Sequence, residues 1–168
     1  MNWSDIDGWF DFADVYDEQV ERADDGAVFV EVGLYKGRSC GYLATAIRDS
    51  GKRIALYGVD PFPRVDITAA AFLENMAACG VGTYVTLLHM PSVTAAKAFA
   101  DGAVDFVYID GWHNYESVRD DIAAWRPKVK CGGTIGGHDG TRKEVTRAVT
   151  EAFGEYERMG PLSWLVRL

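Results

Sequence analysis

Short apolar runs alternate along this chain with longer stretches of helical periodicity, and four of the five runs are followed directly by glycine or aspartate. The runs are rich in valine, isoleucine, tyrosine and phenylalanine and are apolar on both faces, which is typical of parallel strands covered by helices. Five strands are predicted, over Ala27–Val32, Arg53–Val59, Tyr84–Leu88, Val104–Ile109 and Thr134–Gly136. The helices predicted between them cover Gly37–Asp49, Ile67–Ala78, Ser92–Ala100 and Tyr115–Trp125, with Ser92 and Asn114 as N-caps and Pro127 at the last helix end.

The C-terminal part of the chain completes this order. A further helix is predicted over Arg142–Phe153, followed by two short extended segments, Tyr156–Met159 and Trp164–Leu168, which indicate a closing hairpin. The predicted fold class is therefore α/β: a Rossmann-like, doubly wound, mostly parallel seven-stranded sheet with an antiparallel C-terminal hairpin. The length of 168 residues favours a single domain spanning residues 1–168.

The N-terminal segment from Trp3 to Arg22 is predicted to form one amphipathic helix. Its aromatic and small residues recur at helical spacing, at Trp9, Phe12, Ala13 and Tyr16. We expect this helix, within residues 1–25, to pack over the sheet and to place its aromatic side chains in the core.

Composition excludes several classes of protein and function. With 48% hydrophobic and 25% charged residues, the chain is an ordinary folded globule rather than a disordered, collagenous or coiled-coil protein. A net charge of −8 without a basic cluster makes nucleic acid and anionic membranes unexpected partners. The chain starts with acidic and aromatic residues and holds no run of eighteen apolar residues, so we expect a cytoplasmic protein.

The cysteines indicate the same compartment. Cys40, Cys79 and Cys131 are odd in number, widely spaced and free of any CxxC pattern, which argues against a disulfide framework or a thiolate zinc site. We expect them to be reduced and buried.

The first predicted strand ends in a glycine loop, Glu31-Val-Gly33-Leu-Tyr-Lys-Gly37-Arg-Ser39, that leads directly into a helix. The dinucleotide fingerprint needs a glycine where Tyr35 stands, because the backbone must approach a pyrophosphate there. A ligand with an adenosine but no phosphate fits this loop better. Alternatively, the two glycines form only a tight strand-to-helix turn.

Asp60 follows the second predicted strand, 23 residues after Gly37. This is close to the spacing at which an acidic residue accepts hydrogen bonds from ribose hydroxyls. The alternative is a turn residue before Pro61. Together with the glycine loop, Asp60 favours an adenosine ligand.

Two carboxylates follow the fourth and fifth predicted strands. Asp110 and Asp139 should reach the same edge of the sheet, because the carboxyl ends of parallel strands lie side by side. They could hold a hard cation such as Mg²⁺, or they could be helix-capping and turn residues, which spacing alone favours. His113, three residues after Asp110, could take part in the chemistry or be a surface histidine.

Taken together, these motifs resemble those of small class I S-adenosylmethionine-dependent methyltransferases, in particular the group that includes the macrolide-sugar O-methyltransferases. The resemblance covers about residues 27–150 and is most specific in two segments, Ile109-Asp-Gly-Trp-His-Asn-Tyr-Glu-Ser-Val-Arg-Asp-Asp121 and Cys131-Gly-Gly-Thr-Ile-Gly-Gly-His-Asp139. It departs from the family at Trp112, where relatives carry a small polar or acidic residue, and at Gly140, where a third metal ligand is missing.

The resemblance implies a role for each matched residue. Glu31, Gly33, Gly37 and Ser39 would border the methionine and adenosyl parts of S-adenosylmethionine, Asp60 would hold its ribose, Ser92 would lie near its adenine, and Asp110 would complete the cofactor site. Asp110 and Asp139 match divalent-metal ligands, and His113 matches the proposed general base of the sugar-modifying members.

These roles imply O-methylation of a hydroxyl group on a small molecule, a sugar or an aryl compound, with S-adenosylmethionine and possible help from Mg²⁺. The alternative is a non-catalytic nucleoside- or dinucleotide-binding module, because the chain is small and has no evident substrate lid. Its site could then be completed by homo-oligomerisation. A nicotinamide-dependent oxidoreductase is a third possibility, disfavoured by Tyr35.

Overall fold

A seven-stranded sheet forms the centre of the computed structural model, which describes residues 1–168. The strands are β1 Val28–Val32, β2 Ala55–Val59, β3 Val85–Leu88, β4 Val104–Ile109, β5 Val129–Gly137, β6 Glu157–Met159 and β7 Ser163–Arg167. Their order in the sheet is β3-β2-β1-β4-β5-β7-β6. The first five strands are parallel, whereas β7 runs antiparallel to β5 and β6. The predicted fold class, including the antiparallel C-terminal hairpin, is confirmed.

Six α-helices connect the strands and flank the sheet: α1 Ala13–Arg22, α2 Arg38–Ser50, α3 Ala69–Ala78, α4 Ser92–Ala95, α5 Tyr115–Trp125 and α6 Lys143–Phe153. Short 3-10 turns cover Trp3–Asp5, Gly82–Tyr84, Ala96–Ala98 and Arg126–Lys128. Two apolar clusters of buried residues pack around the sheet, one including Tyr16, Leu43 and Phe106 and the other Val107, Ile122 and Trp125. None of the helices is long and apolar enough to cross a membrane.

The parallel strands end at the same level. Val32 of β1 pairs with Val59 of β2 and with Ile109 of β4, and Ile109 pairs with Gly137 of β5. The sheet hydrogen bonding continues one residue further, since the amides of Gly33, Asp60, Asp110 and His138 donate to Val59, Leu88, Val32 and Ile109, respectively. The residues that follow the strands therefore form one continuous edge.

The single N-terminal helix predicted from Trp3 to Arg22 is wrong in its first half. Helix α1 begins only at Ala13, and an irregular segment separates it from the first 3-10 turn. The Arg38 side chain donates hydrogen bonds to the carbonyl oxygens of Ile6 and Gly8, which satisfies these groups outside a helix. Phe12 is buried as predicted, but Trp9 is 74% exposed and does not belong to the core.

The helix predicted over Ser92–Ala100 is also shorter than expected, because it continues after Ala95 only as the turn Ala96–Ala98. Phe99 leaves the helix with extended backbone and packs edge-on against Tyr57. Pro91 rather than Ser92 occupies the N-cap position, so the predicted cap at Ser92 is wrong.

Other details are closer to the predictions. Asn114 caps α5 by accepting a hydrogen bond from the Ser117 amide, as predicted. β5 begins at Val129, five residues before the predicted start at Thr134, and the register shift between Val104 and Phe106 accommodates the added residues.

No cysteine forms a disulfide, and Cys40 is buried, but Cys131 is exposed, so the prediction that all three cysteines are buried is wrong.

Gly33 allows the closest approach between the ends of β1 and β4. Its φ is +91°, and a Cβ there would lie 2.1 Å from the carbonyl oxygen of Asp110. Gly26 has nearly the same φ, +92°, but nothing lies within 4 Å of its Cβ position. Substitutions at Gly33 and Gly26 therefore distinguish the cost of a left-handed backbone from the cost of steric overlap.

We expect Gly33→Ala to lower the free energy of unfolding by several kcal/mol, because strands β1 and β4 must separate to admit the methyl group. Gly26→Ala should cost only about 1–2 kcal/mol, the penalty for left-handed backbone. Chemical denaturation followed by circular dichroism measures both changes. Equal losses would contradict the steric explanation.

Candidate active site at the carboxyl edge of the sheet

A cleft of about 900 Å³ runs along the carboxyl edge of the sheet. Its volume lies in the range of about 300–1,000 Å³ that small-molecule sites occupy. Most of the predicted site residues line it: Gly33, Ser39, Asp60, Ser92, Asp110, His113 and Asp139. Glu31 and Gly37 do not line the cleft and lie behind its wall.

The turn of the glycine loop, residues 33–37, is held in place by Asp60. Oδ2 of Asp60 accepts hydrogen bonds from the amides of Leu34 and Tyr35 at 2.9 and 3.4 Å, and Oδ1 accepts one from the Phe62 amide at 2.6 Å. The carboxylate therefore joins the loop after β1 to the loop after β2. The need to join these two loops is sufficient to explain an acidic residue at this position, even without a bound ligand.

Both glycines of the loop are required by packing. Gly37 has a φ of +95°, and a Cβ there would lie 2.7 Å from Met76 Cε and 2.9 Å from the Phe72 ring of α3. Gly33 is required by its approach to Asp110. The tight-turn interpretation therefore accounts for these glycines by itself.

Three residues other than glycine have left-handed backbone: Tyr35, Phe62 and Asp139, with φ values of 50°, 45° and 57°. They follow β1, β2 and β5, and all three line the cleft. Such conformations cost about 1–3 kcal/mol each and tend to cluster at functional sites, where the surrounding structure maintains them. The strain in this protein is concentrated where the cleft is.

Glu31 is completely buried beneath the glycine loop. The Ser39 hydroxyl donates a hydrogen bond of 2.5 Å to its Oε1, whereas its Oε2 and the Tyr16 hydroxyl are buried without a partner. Burial raises the pKa of Glu31 to about 7, and the Ser39 hydrogen bond opposes this shift. Glu31 thus contacts the cleft wall through Ser39 rather than facing the cleft itself.

Asp110, His113 and Asp139 form a compact cluster, here called the acid–imidazole cluster. One ligating atom from each lies within 4.8 Å of the others. His113 Nδ1 is 2.9 Å from Asp139 Oδ2, and Arg142 Nε is 3.0 Å from Asp139 Oδ1. Burial raises the pKa of Asp110 to about 6, an effect that the nearby His138 partly offsets.

The structure decides against helix capping by these carboxylates. Asn114 caps α5, and α6 begins after Arg142 without a side-chain cap. Asp139 does take part in a turn, since its carbonyl oxygen accepts the Arg142 amide at 2.8 Å, but its carboxylate turns to His113 and Arg142 instead. Both side chains are thus free of the capping role that spacing favoured.

Sequence reasoning missed His138 and Asp11. His138 is buried, with Nε2 2.9 Å from Asp11 Oδ1, while its Nδ1 lies 3.7 Å from Asp110 Oδ1 and 3.8 Å from Asp139 Oδ2. This imidazole joins the N-terminal segment to the acid–imidazole cluster. Its place next to Asp139 in the sequence could have drawn attention to it, whereas nothing in the sequence pointed to Asp11.

Comparison with known proteins agrees with this arrangement of loops. The model of a family described as a methyltransferase domain matches residues 30–140, which include the glycine loop and both strand-end carboxylates. The chain belongs to the class I S-adenosylmethionine-dependent methyltransferases. A search of curated proteins found no match to this methyltransferase.

Solved structures show the same fold. The O-methyltransferase NovP has a TM-score of 0.72 at 17% identity, over 92% of this methyltransferase and 78% of NovP. CalS11, a TDP-rhamnose 3′-O-methyltransferase of calicheamicin biosynthesis, has a TM-score of 0.68 at 17% identity, over 92% of this chain and 76% of CalS11. A candidate rRNA methylase from Clostridium thermocellum has a TM-score of 0.71 at 14% identity, over 96% and 99% of the two chains. At these identities the similarity establishes the fold.

The acid–imidazole cluster of this methyltransferase also has a donor set that suits a divalent cation. Carboxylate oxygens bind Mg²⁺ and Mn²⁺, and an imidazole nitrogen suits transition metals. Arg142 is half exposed and could turn away from Asp139 into solvent. Two carboxylates and one imidazole are therefore available at one point beside the cleft.

Proposed function

We propose that this methyltransferase transfers the methyl group of S-adenosylmethionine to a hydroxyl group of a small molecule, a sugar or an aryl compound. The observation that carries the proposal is the contact between His113 and Asp139 beside the cleft. A sulfonium methyl donor needs no activation, whereas an alcohol must lose its proton as it attacks. A histidine oriented by a carboxylate supplies that function.

The proposed cofactor site follows the edge of the sheet. Asp60 uses three of its roughly four acceptor positions for backbone amides, which leaves capacity for a ribose hydroxyl. Gly33 and Gly37 shape the loop, and Ser39 and the buried Glu31 support it from behind. In this proposal Ser92 lies near the adenine and Asp110 near the methionine part of the cofactor.

His113 is in a suitable state to act as the base. Burial lowers its pKa from the ordinary value, and the Asp139 carboxylate opposes this shift, so the neutral imidazole prevails at neutral pH. A carboxylate cannot donate a hydrogen bond, so in this proposal the hydrogen of the neutral imidazole is on Nδ1, 2.9 Å from Asp139 Oδ2. Nε2 then has a free lone pair, which in the proposed reaction takes the hydroxyl proton.

The reaction balances with these groups alone. The acceptor oxygen forms a bond to the methyl carbon as the carbon–sulfur bond breaks, and the sulfonium becomes the neutral thioether of S-adenosylhomocysteine. The hydroxyl proton moves to Nε2 of His113. Asp139 stabilises the imidazolium that results, and holding the oxygen, methyl carbon and sulfur in line contributes further through orientation.

We also propose that Asp110 and Asp139 hold a divalent cation. Such a cation would lower the pKa of a hydroxyl group bound to it. Asp110 is partly buried beside two other carboxylates, Asp139 and Asp11, whose charges raise its pKa further, and a cation would relieve this repulsion. The role of His113 as base does not depend on the cation.

The choice of a small molecule over RNA rests on charge. A net charge of −8 repels a phosphate backbone. Two of the similar structures are named as O-methyltransferases, one of them acting on TDP-rhamnose, which supports a hydroxyl acceptor. The similarity to a candidate rRNA methylase makes RNA the second acceptor class to test.

Calorimetric titration with S-adenosylhomocysteine should show micromolar binding. Asp60→Ala should weaken binding about 10- to 100-fold, because a hydrogen bond to a charged acceptor is lost. Asp66→Ala is the matched control, since Asp66 is exposed on the same loop and pairs only with Arg64. No binding by the wild-type protein would make the non-catalytic alternative the leading one, and wild-type affinity of Asp60→Ala would contradict the ribose role.

Once an acceptor has been found by screening hydroxylated small molecules and RNA, His113→Ala should lower kcat by about 10²- to 10⁴-fold, the contribution of a positioned base. Affinity for S-adenosylhomocysteine should stay unchanged. His89→Ala serves as the control, because His89 is exposed and lies outside the cleft lining. Near-normal turnover of His113→Ala would assign the base to another residue.

Removal of divalent cations with a chelator should lower turnover at least about tenfold, and added Mg²⁺ should restore it. Asp110→Asn should respond less to added Mg²⁺ than the wild-type protein. Turnover that is insensitive to the chelator would remove the cation from the proposal and leave the methyl transfer intact.

A further inference from the structure

Asp121 is a buried carboxylate in the cleft to which no role has been assigned above. It lies on α5, is 7% exposed, and lines the cleft together with Ser92 and Ser117. Its Oδ2 lies 3.9 Å from the position that a Cβ would occupy on Gly111, in the loop that follows β4. The carboxylate therefore belongs to the wall of the cleft and not to the outer face of α5.

Asp121 has few polar partners within the protein. No Lys, Arg or His forms a salt bridge with it, although most other acidic residues near the cleft have such a partner. Burial raises its pKa to about 6, and the Ser92 hydroxyl opposes this shift. The Ser92 Oγ accepts the indole hydrogen of Trp125 at 2.8 Å, which fixes the hydroxyl next to Asp121. The carboxylate thus retains acceptor capacity toward the cleft.

The cleft that Asp121 lines also has exposed apolar side chains. Val93 and Trp112 are 42% and 62% exposed, and both line the cleft together with Pro91. A cleft lined by exposed apolar side chains and one buried carboxylate suits a flat, apolar ring with a hydrogen-bond donor at its edge. A purine with an exocyclic amino group is such a ring.

The positions of the other groups place the purine at this end of the cleft. The methyl group has to lie near His113 and Asp139, which follow β4 and β5. With the ribose at Asp60 after β2, the base falls on the side of β3, where Pro91 and Ser92 line the cleft. Helix α4, which begins at Ser92, packs against α5, which carries Asp121.

We propose that Asp121 accepts a hydrogen bond from the 6-amino group of the cofactor's adenine and thereby selects a 6-aminopurine over a 6-oxopurine. This inference rests on the proposed placement of S-adenosylmethionine in the cleft. A 6-oxopurine presents an acceptor oxygen at the same edge, which the carboxylate repels. A site built to bind a donor discriminates strongly against a ligand that lacks it.

The test compares S-adenosylhomocysteine with S-inosylhomocysteine, its 6-oxo counterpart, by calorimetric titration. The wild-type protein should prefer the adenine ligand by about 10- to 100-fold, the worth of one hydrogen bond to a charged group. In Asp121→Asn the preference should fall to near unity or reverse, because the amide nitrogen donates to the 6-oxo group. Asp120→Asn is the matched control: Asp120 is the neighbouring, exposed cleft residue that pairs with Arg119, and this variant should keep the wild-type preference.

Distinct results would overturn the inference. Equal wild-type affinity for the two ligands would exclude selection of the amino group, and a similar loss of both affinities in Asp121→Asn would assign Asp121 a packing role with Ser92. If Asp121→Asn does not fold, as judged by thermal unfolding, Asp121→Ser and the wild-type ligand comparison decide in its place. A wild-type protein that binds neither ligand refutes the proposed cofactor site itself, which distinguishes that failure from failure at Asp121.

Discussion

The site depends on the common level at which the parallel strands end. The sheet hydrogen bonds continue past the last strand residues, so the amides of Gly33, Asp60, Asp110 and His138 are each fixed to a neighbouring strand. These bonds fix how far along the sheet the side chains of these four residues lie. A cleft forms there because the glycine loop turns away at Gly33, where the backbones of β1 and β4 are too close for any side chain.

Two kinds of group meet at this edge, and their chemistry differs. Asp60 accepts hydrogen bonds from three backbone amides, so its first role is to join two loops, and some acceptor capacity remains for the proposed ligand. Asp110 is different, because burial and other carboxylates disfavour its charge. A group in that state gains from a bound cation or a ligand ammonium. Asp60 therefore stabilises the loops that form the site, whereas the charge state of Asp110 depends on whether a cationic group is bound nearby.

The fold was largely predictable, because it is set by short-range patterns. Runs of β-branched and aromatic residues mark the strands, and Asn114 marks the start of α5. The errors fall where tertiary contacts override local preference. Trp9 has helical spacing relative to Phe12 and Tyr16. However, Arg38 donates hydrogen bonds to the carbonyl oxygens of Ile6 and Gly8, and the Trp9 side chain is exposed at the cleft. Ser92 looks like a cap, yet its hydroxyl serves the indole of Trp125, 33 residues away.

The sequence by itself determined the strand-end motifs, and with them the fold class and the resemblance to methyltransferases, since strand ends in a parallel sheet are adjacent in any such fold. Only the tertiary structure decided which side chains touch. It placed His113 Nδ1 on Asp139, brought Asp11 to His138 across 127 residues, and set Asp121 into the cleft wall beside Ser92. Such contacts depend on rotamers and on the packing of distant segments. The spacing of residues along a chain carries no information about either.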